Sequence, residues 1–144
     1  MKHKTPFQRP GYSTVCPYLM VEDVAKQMEF MKYVFQGETM EDAAQNPDGH
    51  AEIRIGDTVI MMGAARPAWP SRQGMNYVYV EDLDEVFRRA QERGARVLLE
   101  PVERYYGDRE CGFEDLHGNQ WWCASFMQTY SQEELEARFQ KSQR

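Results

Sequence analysis

The sequence predicts an α+β fold built from two βαβββ modules, and three observations carry that reading. The segment Tyr18-Leu-Met-Val-Glu-Asp23 recurs as Tyr77-Val-Tyr-Val-Glu-Asp82. After each copy comes one helix-length apolar stripe with a glycine at its end, Gly37 and then Gly94. Each half then closes in a hairpin, on Gly56 in the first and Gly118 in the second. The repeated "VED" is weak evidence alone. The shared order of cap, helix stop and hairpin, at nearly constant offset, is what marks a duplicated unit.

Taken in order, residues 1–13 are polar, contain Pro6, Pro10 and Gly11, and read as an irregular lead-in. Thr14–Val21 is an apolar run with strand character. Pro17 cannot donate a ladder hydrogen bond, so this strand lies at an edge or pairs on one side there. Asp23 is placed to cap a helix whose buried stripe is Val24, Met28, Met31 and Phe35, with Gly37 as its stop. Glu38–Ala44 is weakly patterned and compatible with a strand, and Asn46-Pro47-Asp48-Gly49 is a turn signal. His50–Ile55 alternates apolar and polar residues, and Gly56-Asp57 returns the chain into Thr58–Met62 as a hairpin. Residues 14–64 are thus the first module, and the aperiodic, proline-bearing residues 65–74 are a linker.

The second module spans residues 75–126. Met75–Val80 is its first strand, and Asp82 caps a helix with the stripe Leu83, Val86, Phe87 and Ala90, stopped at Gly94. Arg96–Val102 is a strand ended near Pro101. Arg104–Gly107 is a turn, and Asp108–Asp115 with Gln120–Phe126 makes the closing hairpin. In residues 127–144, Ser131 and Glu134 form a capping-box pattern opening a polar helix to about Gln140, with Leu135 and Phe139 placed to dock on the body.

Composition narrows the function classes. With 144 residues, 42% hydrophobic and 28% charged, the chain is of the size of one globular domain. Seventeen basic residues against 23 acidic give −6 with no Lys/Arg cluster, which argues against nucleic acid or an anionic membrane as partner. Cys16, Cys111 and Cys123 show no CxxC spacing, so reduced thiols in a cytoplasmic protein are expected. The first residues lack the apolar core of a signal peptide, and no apolar run is long enough to cross a bilayer.

The layout resembles the vicinal oxygen chelate superfamily of glyoxalases, bleomycin-resistance proteins and extradiol dioxygenases, and within it the PhnB-like branch. The matching residues are Pro17-Tyr18-Leu19 with Val21 and Asp23, the hairpin His50–Asp57, and Tyr106-Gly107-Asp108-Arg109 with Asp115, Gly118 and Trp121. The resemblance implies that the two modules form a curled, cup-shaped mixed sheet, commonly in a homodimer. It also implies four inward positions where metal-dependent members place His or Glu. Counted from the helix caps and hairpin glycines, these positions are Cys16, Met75, Trp122, and either Ile60 or Met61. None offers imidazole or carboxylate, so no metal and no other cofactor is expected.

Strand parity puts Cys16, Tyr18 and Met20 on one face, as it does Met75, Tyr77 and Tyr79, and Gln120, Trp122 and Ala124. If the ligand-equivalent positions point inward, the cup is lined with phenol, thioether and indole groups. Arg109, with Arg66 or Arg72, is placed to anchor a polar group at the rim. The expected function is metal-independent binding of a planar or aromatic small molecule, with Cys16, Tyr18, Met75, Tyr77, Tyr79, Arg109 and Trp122 as the contact set. The ligand positions argue against catalysis without deciding it. The alternative is a metal-dependent lyase, isomerase or dioxygenase with displaced ligands drawn from His50, Glu52, Glu114 and His117. Read blandly, His50 and His117 are surface or turn histidines. Glu114 and Asp115 solvate the hairpin, and Cys111 and Cys123 are inert. Glu52 and Arg54 share a face, as a surface ion pair or as part of the cup lining.

Overall fold

The computed structural model describes residues 7–40, 46 and 49–143. The chain divides into two compact units, 1–72 and 73–144. In the first unit, strand β1 (Tyr18–Val21) leads through helix α1 (Val24–Phe35) to β2 (Glu38–Thr39), β3 (His50–Ile55) and β4 (Thr58–Ala64). The second repeats this as β5 (Met75–Tyr79), α2 (Leu83–Glu92), β6 (Arg96–Glu103), β7 (Asp108–Glu114) and β8 (Gln120–Phe126), followed by α3 (Gln132–Ser142). The sheets run β1-β4-β3-β2 and β5-β8-β7-β6, the same order twice. In each, the first and last strands pair in parallel and the other pairs are antiparallel. These are the two βαβββ modules of mixed sheet that the repeat predicts.

Both helices start as read. Asp23 accepts the backbone N–H of Lys26 at 3.0 Å, and Asp82 that of Glu85 at 3.2 Å. Each helix covers one face of its sheet: α1 packs on β3 and β4, and α2 on β6, β7 and β8. Beneath α1 lie Leu19, Val21, Ile53, Ile60 and Met62, and beneath α2 lie Cys111, Phe113, Trp121 and Cys123, all buried.

Several boundaries differ from the sequence reading for local physical reasons. Strand β1 begins only at Tyr18, because Pro17 has no N–H, although its carbonyl accepts Met61 N–H at 2.9 Å. As Pro17 predicts, β1 is an edge strand. Helix α1 ends with Gln36, not Gly37, in the left-handed region at φ 54°. Gly37 is needed for space instead: a Cβ there would lie 2.5 Å from Ile53 Cδ1. Strand β6 runs through Pro101 to Glu103, which an edge strand tolerates, and its pairing with β7 is irregular on that stretch. Of the expected strand Glu38–Ala44 only Glu38–Thr39 is formed among the described residues, and 41–45, 47 and 48 lie outside them.

Asp115 is the clearest correction. Rather than solvating the hairpin, its side chain is buried and accepts the N–H groups of His117 (2.9 Å) and Asn119 (3.0 Å) and the indole N–H of Trp121 (2.9 Å). Buried Asn119 in turn accepts Gly74 N–H at 2.8 Å, tying the start of β5 to the same turn. Replacing Asp115 with Ala strands three donors, two of them buried, and is expected to destabilise the protein by about 3 kcal/mol. Urea unfolding will show this as a lowered midpoint, with Asp115→Asn falling between that variant and the parent.

Candidate functional site

On each sheet, the face away from its helix carries tyrosine and acidic side chains. Register decides which residues these are. In the second unit Tyr77 lies opposite Trp122, and Trp122 opposite Gly112. Because side chains alternate along a strand, Met75, Tyr77, Tyr79, Gln120, Trp122, Asp108, Glu110 and Gly112 share this face. A Cβ on Gly112 would fall 2.7 Å from two ring carbons of Trp122, so the indole lies flat over that glycine. Trp122 Nε1 donates to Gln120 Oε1 at 3.1 Å, which fixes the ring's orientation. Tyr77 and Tyr79 stand beside each other edge to face at 5.5 Å.

Two buried carboxylates stand within this aromatic surface. Asp108 accepts the phenol of Tyr77 at 2.7 Å and, more weakly, that of Tyr79 at 3.5 Å. Glu110 accepts the phenol of Tyr106 at 2.7 Å and pairs with Arg104 Nε at 3.0 Å. Burial, followed by the hydrogen bond to Asp108, pushes the Tyr77 phenol far above its ordinary pKa. Burial and the bond to Glu110 do the same for Tyr106 to a lesser degree. Tyr106 also lines a hollow of about 420 Å³ beside α3 with Tyr105, Leu135 and Phe139. Phe139 meets Tyr105 edge to face at 5.2 Å, and Arg138 Nε donates to the Tyr105 carbonyl at 2.7 Å.

In the first unit Tyr18 lies opposite Met61, and Met61 opposite Glu52. This pairing makes Met61, not Ile60, the counterpart of Trp122; Ile60 is buried on the helix side. The open face here carries a hydrogen-bonded chain. Tyr18 Oη meets His50 Nδ1 at 3.1 Å, and His50 Nε2 meets Glu52 Oε2 at 2.8 Å. The phenol of Tyr12 donates to Glu52 Oε1. Burial alone pushes the Glu52 carboxyl up, but the hydrogen bonds from Tyr12 and His50 outweigh it and hold the pKa below the ordinary value.

The expected contact residues divide between the two units. Met75, Tyr77, Tyr79 and Trp122 share the open face of the second, and Tyr18 stands on that of the first. Cys16 lies two residues before β1, where its thiol donates to the Ser13 carbonyl at 3.4 Å. Arg109 is not with them. The uninterrupted β7–β8 register puts it on the helix side with Cys111 and Phe113, where it pairs with Asp84 of α2 at 3.0 Å. Arg54 makes a cross-strand ion pair with Glu38 at 2.7 Å, and His117 sits in the Asp115 turn. Cys111 and Cys123 face each other across β7 and β8, both buried, and burial pushes the Cys123 thiol well up.

Sequence reasoning passed over Asp108, Glu110 and Tyr106. The parity of β7 was the available signal, since residues 108, 110 and 112 must oppose 109, 111 and 113. Tyr12 had no such signal, because it precedes any periodic segment.

A profile of the Glyoxalase/Bleomycin resistance protein/Dioxygenase superfamily matches residues 13–123, and the chain belongs to this superfamily. An uncharacterised protein of Mycobacterium bovis is 25% identical over 135 residues, covering 84% of this chain and 88% of the relative. Among solved structures, TioX from Micromonospora superposes with a TM-score of 0.66 at 21% identity, covering 80% of this chain and 99% of TioX. A superfamily enzyme from Burkholderia phytofirmans gives 0.67 at 17% identity, covering 76% and 95%. The fosfomycin resistance protein FosX of Listeria monocytogenes, in complex with Mn(II) and a dihydroxypropylphosphonic acid, gives 0.64 at 15% identity, covering 88% and 97%. The structural likenesses bear on the fold.

The metal positions that the family resemblance implies fall in this chain on Cys16, Met61, Met75 and Trp122. A thiol, two thioethers and an indole do not fit a hard or borderline divalent ion with open positions. Among the described residues, no three His, Cys, Asp or Glu side chains converge elsewhere as an alternative set.

The depressed pKa of Glu52 has a pH consequence. Its contribution to stability is complete above the unfolded carboxylate value, near 4.3, and is lost as pH falls through the lower folded value. Glu52→Gln is therefore expected to be less stable than the parent at pH 7, with a flatter loss of melting temperature below about pH 4.5. Calorimetry across pH 3–7 measures both.

Proposed function

We propose that the protein is a metal-independent small-molecule-binding member of the superfamily, taking a planar or aromatic ligand on the open face of its second unit. The supporting observation is the setting of Trp122. Its indole lies over Gly112, at a position that the family resemblance implies for a metal ligand, with half-exposed Tyr77 on the neighbouring strand. Trp122 is half-buried, and aromatic rings held by hydrogen bonds to their own sheet offer contact area at little cost in side-chain entropy. Tyr79 and Met75 extend the surface, at 65% and 69% exposure. Asp108 and Glu110 supply polar acceptors beneath it.

We also infer a homodimer in the cytoplasm, without nucleic-acid or membrane partners, and membership of the PhnB-like branch. The −6 charge without a basic cluster supports the first exclusion. Among the described residues no helix is long and apolar enough to cross a membrane.

A screen of planar aromatic compounds by quenching of tryptophan fluorescence tests the binding reading. For any compound found, Trp122→Ala and Tyr77→Ala are each expected to weaken binding about tenfold or more in a protein that stays folded, with Tyr77→Ala also lowering the melting temperature because the buried Asp108 loses its 2.7 Å donor. Metal analysis of the purified protein tests the other half. Far less than one divalent ion per chain is expected, and a stoichiometric ion carried through purification overturns metal independence.

A further inference from the structure

The first unit carries chemistry that the ligand-binding reading does not use. There His50 stands between a half-exposed phenol and a buried carboxylate, with a hydrogen bond to each. We propose that Tyr18, His50 and Glu52 form a proton relay that makes Tyr18 a nucleophilic phenol, reactive toward small electrophiles of the activated acyl or sulfonyl class.

The direction of the relay follows from what each group can donate. An ionised carboxylate only accepts, so the 2.8 Å contact puts the imidazole proton on Nε2, facing Glu52. In the neutral form of the ring the lone pair is then on Nδ1, and the Tyr18 O–H at 3.1 Å donates to it. Tyr18 Oη keeps its own lone pairs for an incoming electrophile, and the residue is 50% exposed. As Oη bonds to the acyl or sulfonyl centre, the phenolic proton passes to Nδ1. The leaving group departs with the electron pair of the bond that breaks. The imidazolium so formed lies against the Glu52 carboxylate, which compensates its charge.

The surroundings hold this geometry in place. Tyr12 occupies the second oxygen of Glu52, and the guanidinium of Arg9 lies 5.4 Å from the centre of the Tyr12 ring. Tyr18 and His50 rings are tilted at 5.8 Å. Gly63 leaves the phenol its seat, since a Cβ there would come within 2.9 Å of Tyr18 Oη. The counterpart in the second unit, Tyr77, differs in kind. Its proton goes to a carboxylate, a weaker base than imidazole, so the same phenol there is only anchored. The duplicated fold thus separates a reactive phenol from a structural one.

The probe is an arylsulfonyl fluoride applied to the intact protein at neutral pH, with modified tyrosines located by mass spectrometry. Reaction forms the Oη–S bond, expels fluoride and leaves the phenolic proton on His50. Tyr79 is the internal standard, being more exposed than Tyr18 and lacking an imidazole partner. Tyr18 is expected to be labelled at least about tenfold faster than Tyr79, with a solvent deuterium isotope effect on Tyr18 alone. His50→Gln should cut the Tyr18 rate about tenfold and abolish that isotope effect, while Glu52→Gln should give an intermediate rate. The Tyr79 rate should hold constant in both, which controls for the reagent, and an unchanged circular dichroism spectrum reports that the first unit is folded. Labelling of Tyr18 no faster than Tyr79 in the unaltered protein overturns the relay, and that comparison requires no variant. An undiminished Tyr18 rate in His50→Gln overturns it as well. Neither result depends on whether the second unit binds an aromatic ligand.

Discussion

The Asp115 carboxylate is the constraint from which the second unit's face follows. By accepting two backbone N–H groups and the Trp121 indole, it fixes where β7 stops and β8 begins. Tryptophan occupies two successive positions on β8, and side chains alternate, so one ring must enter the core and the other must leave it. A slip of one residue would exchange them, pressing Trp122 beneath α2 and swinging Trp121 outward. The hydrogen bond to Trp121 selects the observed choice: the ring whose N–H has a buried acceptor goes inside, and the other is left over Gly112. A turn carboxylate therefore determines which aromatic side chain a ligand would meet.

Comparing the two copies shows how one scaffold came to carry unlike surfaces. The registers equate Tyr18 with Tyr77, Met61 with Trp122 and Glu52 with Gly112. The last two substitutions are complementary. In the second unit a glycine faces the large indole and gives it room. In the first, a carboxylate faces a slender thioether, and the space that a ring would fill admits the His50–Glu52 contact instead. Neither exchange alone preserves the packing of the face, because Glu opposite Trp overfills it and Gly opposite Met leaves a gap.

The fold was legible because its signals are local and occur twice: an Asp before each apolar stripe, and a glycine in each hairpin. Where one signal met another, it was misread. Gly37 looked like a helix stop, yet Gln36 takes the left-handed turn and the glycine answers to Ile53 across the unit. The aromatic face was partly legible, since Met75, Tyr77, Tyr79 and Trp122 share it as strand parity required. Arg109 was misplaced because its charge was weighed ahead of its parity. The buried partners that hold the phenols, Asp108 and Glu110, look like ordinary surface acids in a linear chain, since only cross-strand register reveals what lies above them. The His50–Glu52 contact was half visible as a two-residue spacing, but Tyr12 joins it from an aperiodic segment and nothing local announces that.

The parallel pairing of the outer strands has a bearing on how each module comes into being. Strand β1 finds its ladder partner, β4, about forty residues later, and β5 waits about as long for β8. A chain leaving the ribosome thus exposes the opening strand of a module well before anything exists to receive it. The helix and the antiparallel strands are able to gather first, since their contacts are short in sequence, whereas docking of the opening strand pays the entropy of closing the whole loop. Each module is in this sense sealed by its final strand, so completion of the half is a single late event. The duplicated arrangement lets the amino-terminal half pass through that event while the other is still being made.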